Sequence, residues 1–162
     1  MDQPAVSNLR NPAALVGESP ADAAPVEGIL TQVQTQEVVF PSSWVDEVLI
    51  LSRSQIFKLP FYGPHILGLV NHRGEMVPLL SCPLAGPNAT ATTSPAAWGG
   101  QDTLRAIRLN DKAQQFQGVA VLVDRILGTL TDTDFQQRPQ VQVFQLQDLP
   151  LADCQPQRWH PV

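Results

Sequence analysis

Prolines interrupt this chain so often that a long helix has almost no room in it. Fifteen of its 162 residues are proline. Each one inside a helix costs about 3 kcal/mol, through a lost hydrogen bond and a clash with the preceding turn. Between the breaks lie short apolar segments of strand length, bounded by turn residues. Ile29 to Gln34 and Val38 to Phe40 flank the polar break Thr35-Gln36-Glu37 and read as a hairpin. Ile56 to Leu59 is extended up to Pro60, because the residue before a proline avoids the helical region. Ile66 to Asn71 and Glu75 to Leu80 are strands joined by the tight turn His72-Arg73-Gly74, with Pro78 placing the second at an edge or a bulge. Thr103 to Leu109 alternates with one phase slip. Phe116 to Val123, Ile126 to Gly128 and Gln140 to Gln147 complete the strand-like segments, the last with a slip at Phe144.

One short helix is expected. Ser43 is placed as an N-cap, acids Asp46 and Glu47 follow in the first turn, and Trp44, Val45, Val48 and Leu49 fall on one helical face. Eight or so short strands with one short helix make an all-β barrel or sandwich. The folded part is expected from Gly28 to Leu149. Residues 1–27, rich in Ala and Pro without apolar period, read as a disordered lead-in; 82–101 read as a flexible loop and 150–162 as a tail.

Charge and composition narrow the function classes. A 43% hydrophobic fraction is enough for one domain core, whereas a net charge of −5 without any Lys/Arg run disfavours nucleic acid. No apolar stretch reaches the length of a signal peptide or a membrane span, so a cytoplasmic chain without membrane insertion is expected. Cys82 and Cys154 stand far apart and read as free thiols. His65, His72 and His160 lack zinc-ligand spacing, and no HExxH, GxSxG or phosphate-binding glycine loop occurs. No catalytic residue, metal or cofactor is expected.

One segment is distinctive. Gly68-Leu69-Val70-Asn71-His72-Arg73-Gly74 runs into Glu75-Met76-Val77-Pro78-Leu79-Leu80, and Leu59-Pro60 lies ahead of it. This resembles the CheW family, whose pattern there is a glycine, two aliphatic residues, Asn-x-Arg-Gly and an aliphatic strand containing a proline. A second piece, Gly118 to Gly128 with Val123-Asp124, is similar to a later family segment. The resemblance covers about Gly28 to Leu130. It implies two five-stranded barrels of SH3-like type side by side, and no catalysis. It also implies two partners, the regulatory domain of a CheA-type histidine kinase and the cytoplasmic tip of a methyl-accepting receptor. The chain departs from the family at Ser81-Cys82, where Asp-Leu is usual. It also departs after Leu130, where only about 30 Gln-rich residues follow. The second barrel is therefore expected to be shortened or incomplete.

The candidate partner-binding residues are Arg73, Gly68, Asn71, Gly74, Glu47 and Val48. A guanidinium in a turn can bind a partner's carboxylate in two-pronged fashion, be a solvated turn residue, or bond to its own barrel. Gly74 reads as a positive-φ position that aims Arg73. Gly68 reads as a bulge or an interface contact, and Asn71 as a side chain bonding the turn. Glu47 either faces a partner or is solvated. Val48 and Leu49 read as core, as does Trp44, and Asp124 as a bulge or turn. Trp98 is either folded back or a docking anchor. The functional readings are a signalling adaptor, a degenerate adaptor with one partner, or an unrelated ligand-binding or structural β-barrel.

Overall fold

In a computed structural model of the protein, residues 27–83 and 101–156 are described. The expectations for the lead-in up to residue 26, most of the 82–101 segment, Trp98 and Trp159 lie outside them. The fold is all-β. Sheet A has four strands in the order β10 (Gln142–Val143), β2 (Gln36–Pro41), β1 (Gly28–Val33), β9 (Arg125–Leu130). Sheet B has six, in the order β3 (Val45–Ser52), β7 (Thr103–Leu109), β8 (Ala120–Val123), β6 (Glu75–Ser81), β5 (Ile66–His72), β4 (Ile56–Phe57). The strands divide four and six between the two sheets. Among the described residues no helix is long and apolar enough to cross a membrane.

Sheet B must curl. Laid flat, six strands about 4.8 Å apart would put its edges about 24 Å from each other. Yet the edge strands β3 and β4 are consecutive, joined only by the 3-10 turn Arg53–Gln55. That link spans at most about 14 Å. The sheet therefore rolls up around a core of Leu49, Leu51, Val70, Val77, Leu79, Leu104, Ala106, Ala120 and Leu122. The outer face of the same strands is also buried. Leu80, Ile107, Leu109, Val121 and Val123 meet Val33, Val38 and Phe40 of sheet A in a second core. Strands β6, β7 and β8 are thus a wall shared by two cores. This explains their nearly continuous apolar sequences, since a strand buried on both faces has no polar side to alternate with. Phe144 stacks on Phe40 with centroids 4.4 Å apart and meets Trp44 edge-on at 6.4 Å, closing this core from the C-terminal side. A third cluster, Leu30, Val39, Leu130 and Val141, lies on the other face of sheet A. Phe135 packs on it from the one α-helix among the described residues, α1 (Asp132–Gln136), whose N-terminus is capped by the Thr131 side chain.

The helix expected from Trp44 is not there. Ser42–Trp44 is one 3-10 turn with no side-chain cap, and Val45 onward is strand β3. The apolar spacing that suggested a helical face also fits a strand with one extra residue. Asp46 is that residue, bulged between the pairs Val45↔Leu109 and Glu47↔Arg108. Val45 packs with the shared-wall core while Leu49 faces the barrel core, so the bulge moves the strand from one core to the other. Val48, expected in the core, is 38% exposed on the outer face, and Ile50 is 72% exposed beside it. The expected 140–147 strand is also shorter, with β10 only Gln142–Val143. Pro78 fits its place because it pairs only with β5, while β8 joins β6 from Leu79 onward.

Both cysteines are free. Burial pushes the Cys82 thiol up to about 12, helped by the charges of Asp148 and Asp124.

Candidate functional site: a charged barrel mouth

Strand periodicity places one row of each strand inside the barrel. In β3 that row is Glu47, Leu49, Leu51; in β7 it is Arg108, Ala106, Leu104; in β5, His72 and Val70; in β6, Glu75, Val77, Leu79. Each row is apolar except for the ionisable residue at one end, and all four of these lie at the same end of the barrel. Glu47 is registered opposite Arg108, and His72 opposite Glu75. One mouth of the barrel is therefore plugged by ionisable side chains. The bulge at Asp46 makes this possible, because without it Glu47 would share Val45's face and point away.

The plug is wired through Arg108 and Glu47. Arg108 Nη1 donates to Glu47 Oε1 at 3.1 Å, and Nη2 donates to Glu75 Oε2. Asp46 Oδ2 lies 3.9 Å from Arg108 Nε. Glu47 Oε1 also lies 3.3 Å from His72 Nε2, and Oε2 lies 3.4 Å from Arg73 Nη1. The Arg108 side chain is only 16% exposed, against 77% for Arg73. Asn110 fixes the strands just above, donating to the Ser43 carbonyl at 2.9 Å and the Val45 carbonyl at 3.3 Å.

Arg73 sits at the tip of the β5–β6 hairpin. Arg73 and Gly74 both have positive φ, +52° and +86°, as the two central residues of a type I′ turn require. Gly74 meets that demand without strain, but an arginine does not. Asn, Asp or Gly would be the cheaper choice at the first position, so the sequence holds Arg73 there at a local cost of about 1–3 kcal/mol. Asn71 steadies the turn, its side-chain oxygen accepting from the Gly74 N–H at 3.2 Å.

Four of the six expected site residues therefore come together: Glu47, Asn71, Arg73 and Gly74. Gly68 does not join them. It is buried at a second bulge in β5, with φ +145° and the Phe57 carbonyl oxygen 2.3 Å from where a Cβ would stand. Val48 points outward from β3, on the face opposite Glu47. Asp124 is structural, its carboxylate accepting from the Gln34 N–H at the β1–β2 turn. Sequence reasoning missed Arg108, His72 and Glu75. A signal for Arg108 existed. Arg105 and Arg108 are three residues apart in one strand and must lie on opposite faces, so one of them points inward and needs a carboxylate.

Burial alone would raise the Glu47 pKa. The hydrogen bond from Arg108 and the nearby Arg73 and His72 side chains outweigh it and hold the carboxyl below the usual value. A depressed folded-state pKa contributes stability that is present above the unfolded value of about 4.3 and lost as pH falls through the folded one. Acid titration of unfolding free energy should show this loss in the wild type below about pH 4.3. Glu47→Gln should lack that part of the acid limb. An identical limb in both proteins would contradict the wiring.

Among the described residues, no group of three or more His, Cys, Asp or Glu is placed to hold a metal ion. A surface cleft of about 500 Å³ is lined by Asp102, Arg105, Asp124 and Arg125 among others. Its charged walls differ from the mostly apolar lining of a small-molecule pocket.

The CheW-like domain model matches residues 27–148. The chain belongs to the CheW-like domain family. The match covers both sheets and every residue of the barrel mouth. No curated protein matches the sequence. Among solved structures, the scaffolding protein TtCheW from Thermoanaerobacter tengcongensis is similar at 17% identity and a TM-score of 0.49. That alignment covers 67% of this chain and 66% of the other, just under two thirds of the solved protein.

Proposed function

We propose that this CheW-like chain is a non-catalytic cytoplasmic adaptor that couples methyl-accepting receptors to a CheA-type histidine kinase. The observation that carries the reading is Arg73, a strained and exposed arginine at a hairpin tip. Among the described residues Glu47 meets it at Nη1, and the side chain is 77% exposed, so the Nε/Nη2 edge of the guanidinium is available to a partner. That edge is the one that grips a carboxylate with two parallel bonds. The helical tip of a receptor supplies such carboxylates. The kinase's regulatory domain would meet a different surface. Val48 and Ile50, exposed on the outer face of the edge strand β3, offer an apolar patch, and edge strands are natural pairing surfaces. No bond need be made or broken in either contact.

The test is a pair of titrations of the purified protein, one with a helical-hairpin fragment of a receptor tip and one with a CheA-type regulatory domain. An adaptor binds both saturably. A folded protein that binds neither overturns the reading.

A further inference from the structure

Arg108 differs from Arg73 in a way that separates two jobs. Arg73 is open to solvent, whereas Arg108 lies within the barrel mouth, where a protein partner has little access to it. Its fork spans the mouth, one Nη on Glu47 of β3 and the other on Glu75 of β6. Glu47 is the carboxylate that holds Arg73, and Glu75 is the residue directly after the Arg73-Gly74 turn. Arg108 thus fixes Arg73 from both sides: through the acid that grips its guanidinium and through the strand that carries its backbone. Without Arg108, three carboxylates would share the mouth, Asp46, Glu47 and Glu75. Among the described residues His72 and Arg73 are the basic side chains beside Glu47 that would remain, and Glu47 would be drawn out toward water.

We infer that Arg108 is a positioning residue for Arg73: it pre-sets the guanidinium for an acidic partner without touching that partner. The inference rests on the adaptor reading for the partner's identity, but its geometric half does not. A side chain already held in its bound conformation loses less freedom on binding, and that gain disappears when the tether is cut.

The experiment has two arms. In the first, side-chain NMR follows the Arg73 Nε–H group with no partner present. In Arg108→Gln it should move faster than in the wild type, while the Asn71 and Gly74 backbone amides stay ordered. Unchanged Arg73 dynamics in folded Arg108→Gln overturn the inference whatever the protein binds. In the second arm, affinity for a receptor-tip fragment is measured for wild type, Arg108→Gln, Arg73→Ala and the double variant. Arg108→Gln should weaken binding about 10-fold, and the double variant should bind no more weakly than Arg73→Ala alone. Losses that multiply would show that Arg108 acts independently of Arg73 and overturn the inference. Arg108→Gln leaves Glu47 and Glu75 facing each other, so Arg108→Gln/Glu75→Gln replaces it in both arms if its melting temperature falls. Absence of wild-type binding to the tip would count against the adaptor reading, while the NMR arm would still decide the role of Arg108.

Discussion

Arg73→Glu should weaken binding to a receptor-tip fragment by about 100-fold or more. Two charge-assisted bonds to one carboxylate are lost, each worth about 1.5–3 kcal/mol. A like charge then faces the partner's acid. Fold stability should move far less. Arg73 is 77% exposed and its ion pair to Glu47, at 3.4 Å, is a surface contact, which contributes about 0–1 kcal/mol. The new Glu would repel Glu47 and Glu75, so a drop of a few degrees in melting temperature is expected. Binding to the kinase regulatory domain should stay within about 2-fold of wild type, because Val48 and Ile50 point to the outer face of β3, opposite the face that carries Glu47. Equal affinity of wild type and Arg73→Glu for the tip would remove Arg73 from recognition.

Gly68→Ala should destabilise the fold by about 3 kcal/mol or more, among the largest effects of any single methyl addition in this chain. Two costs combine. The backbone sits at φ +145°, a region almost closed to residues with a Cβ and worth about 1–3 kcal/mol in strain. The added carbon would also stand 2.3 Å from the Phe57 carbonyl oxygen. That atom is backbone in the neighbouring strand β4, so relief requires the β4–β5 pairing to open. Denaturant unfolding reads this directly as a lower midpoint. At Gly74 the same methyl meets nothing within 4 Å. Gly74→Ala should therefore cost only its φ strain and be the milder variant. Equal midpoints for the two variants would show that the close approach at Phe57 does not limit stability.

The hairpin that carries the candidate site was legible because its signals are local. Turn chemistry, flanking aliphatic runs and the Asn-x-Arg-Gly spacing all lie within 15 residues, and β5 and β6 pair across that turn as expected. The all-β class was legible for the same reason. What stayed hidden depends on pairing over long separations. Strand β3 resembles a helix in isolation because the bulge at Asp46 breaks its alternation, and only pairing with β7, some 60 residues later, makes it a strand. The charged mouth is invisible locally because its members come from four strands. Arg108 reads as surface until Ala106 and Ile107 are seen to face two different cores, which turns the phase slip in Thr103–Leu109 into a shared wall. The C-terminal segment after Leu130 reads as short and Gln-rich, and the place of its Phe144 and Leu149 in the core between the sheets, 3% and 4% exposed, depends on partners far away in the chain.

The most direct test asks whether one molecule can hold both partners. A receptor-tip fragment is immobilised and the CheA-type regulatory domain is passed over it with and without this protein. An adaptor gives kinase-domain capture that appears only with the protein, rises with its concentration and disappears with Arg73→Glu. Capture that is the same with and without the protein, or survives the charge reversal, contradicts a coupling role built on the Arg73 hairpin.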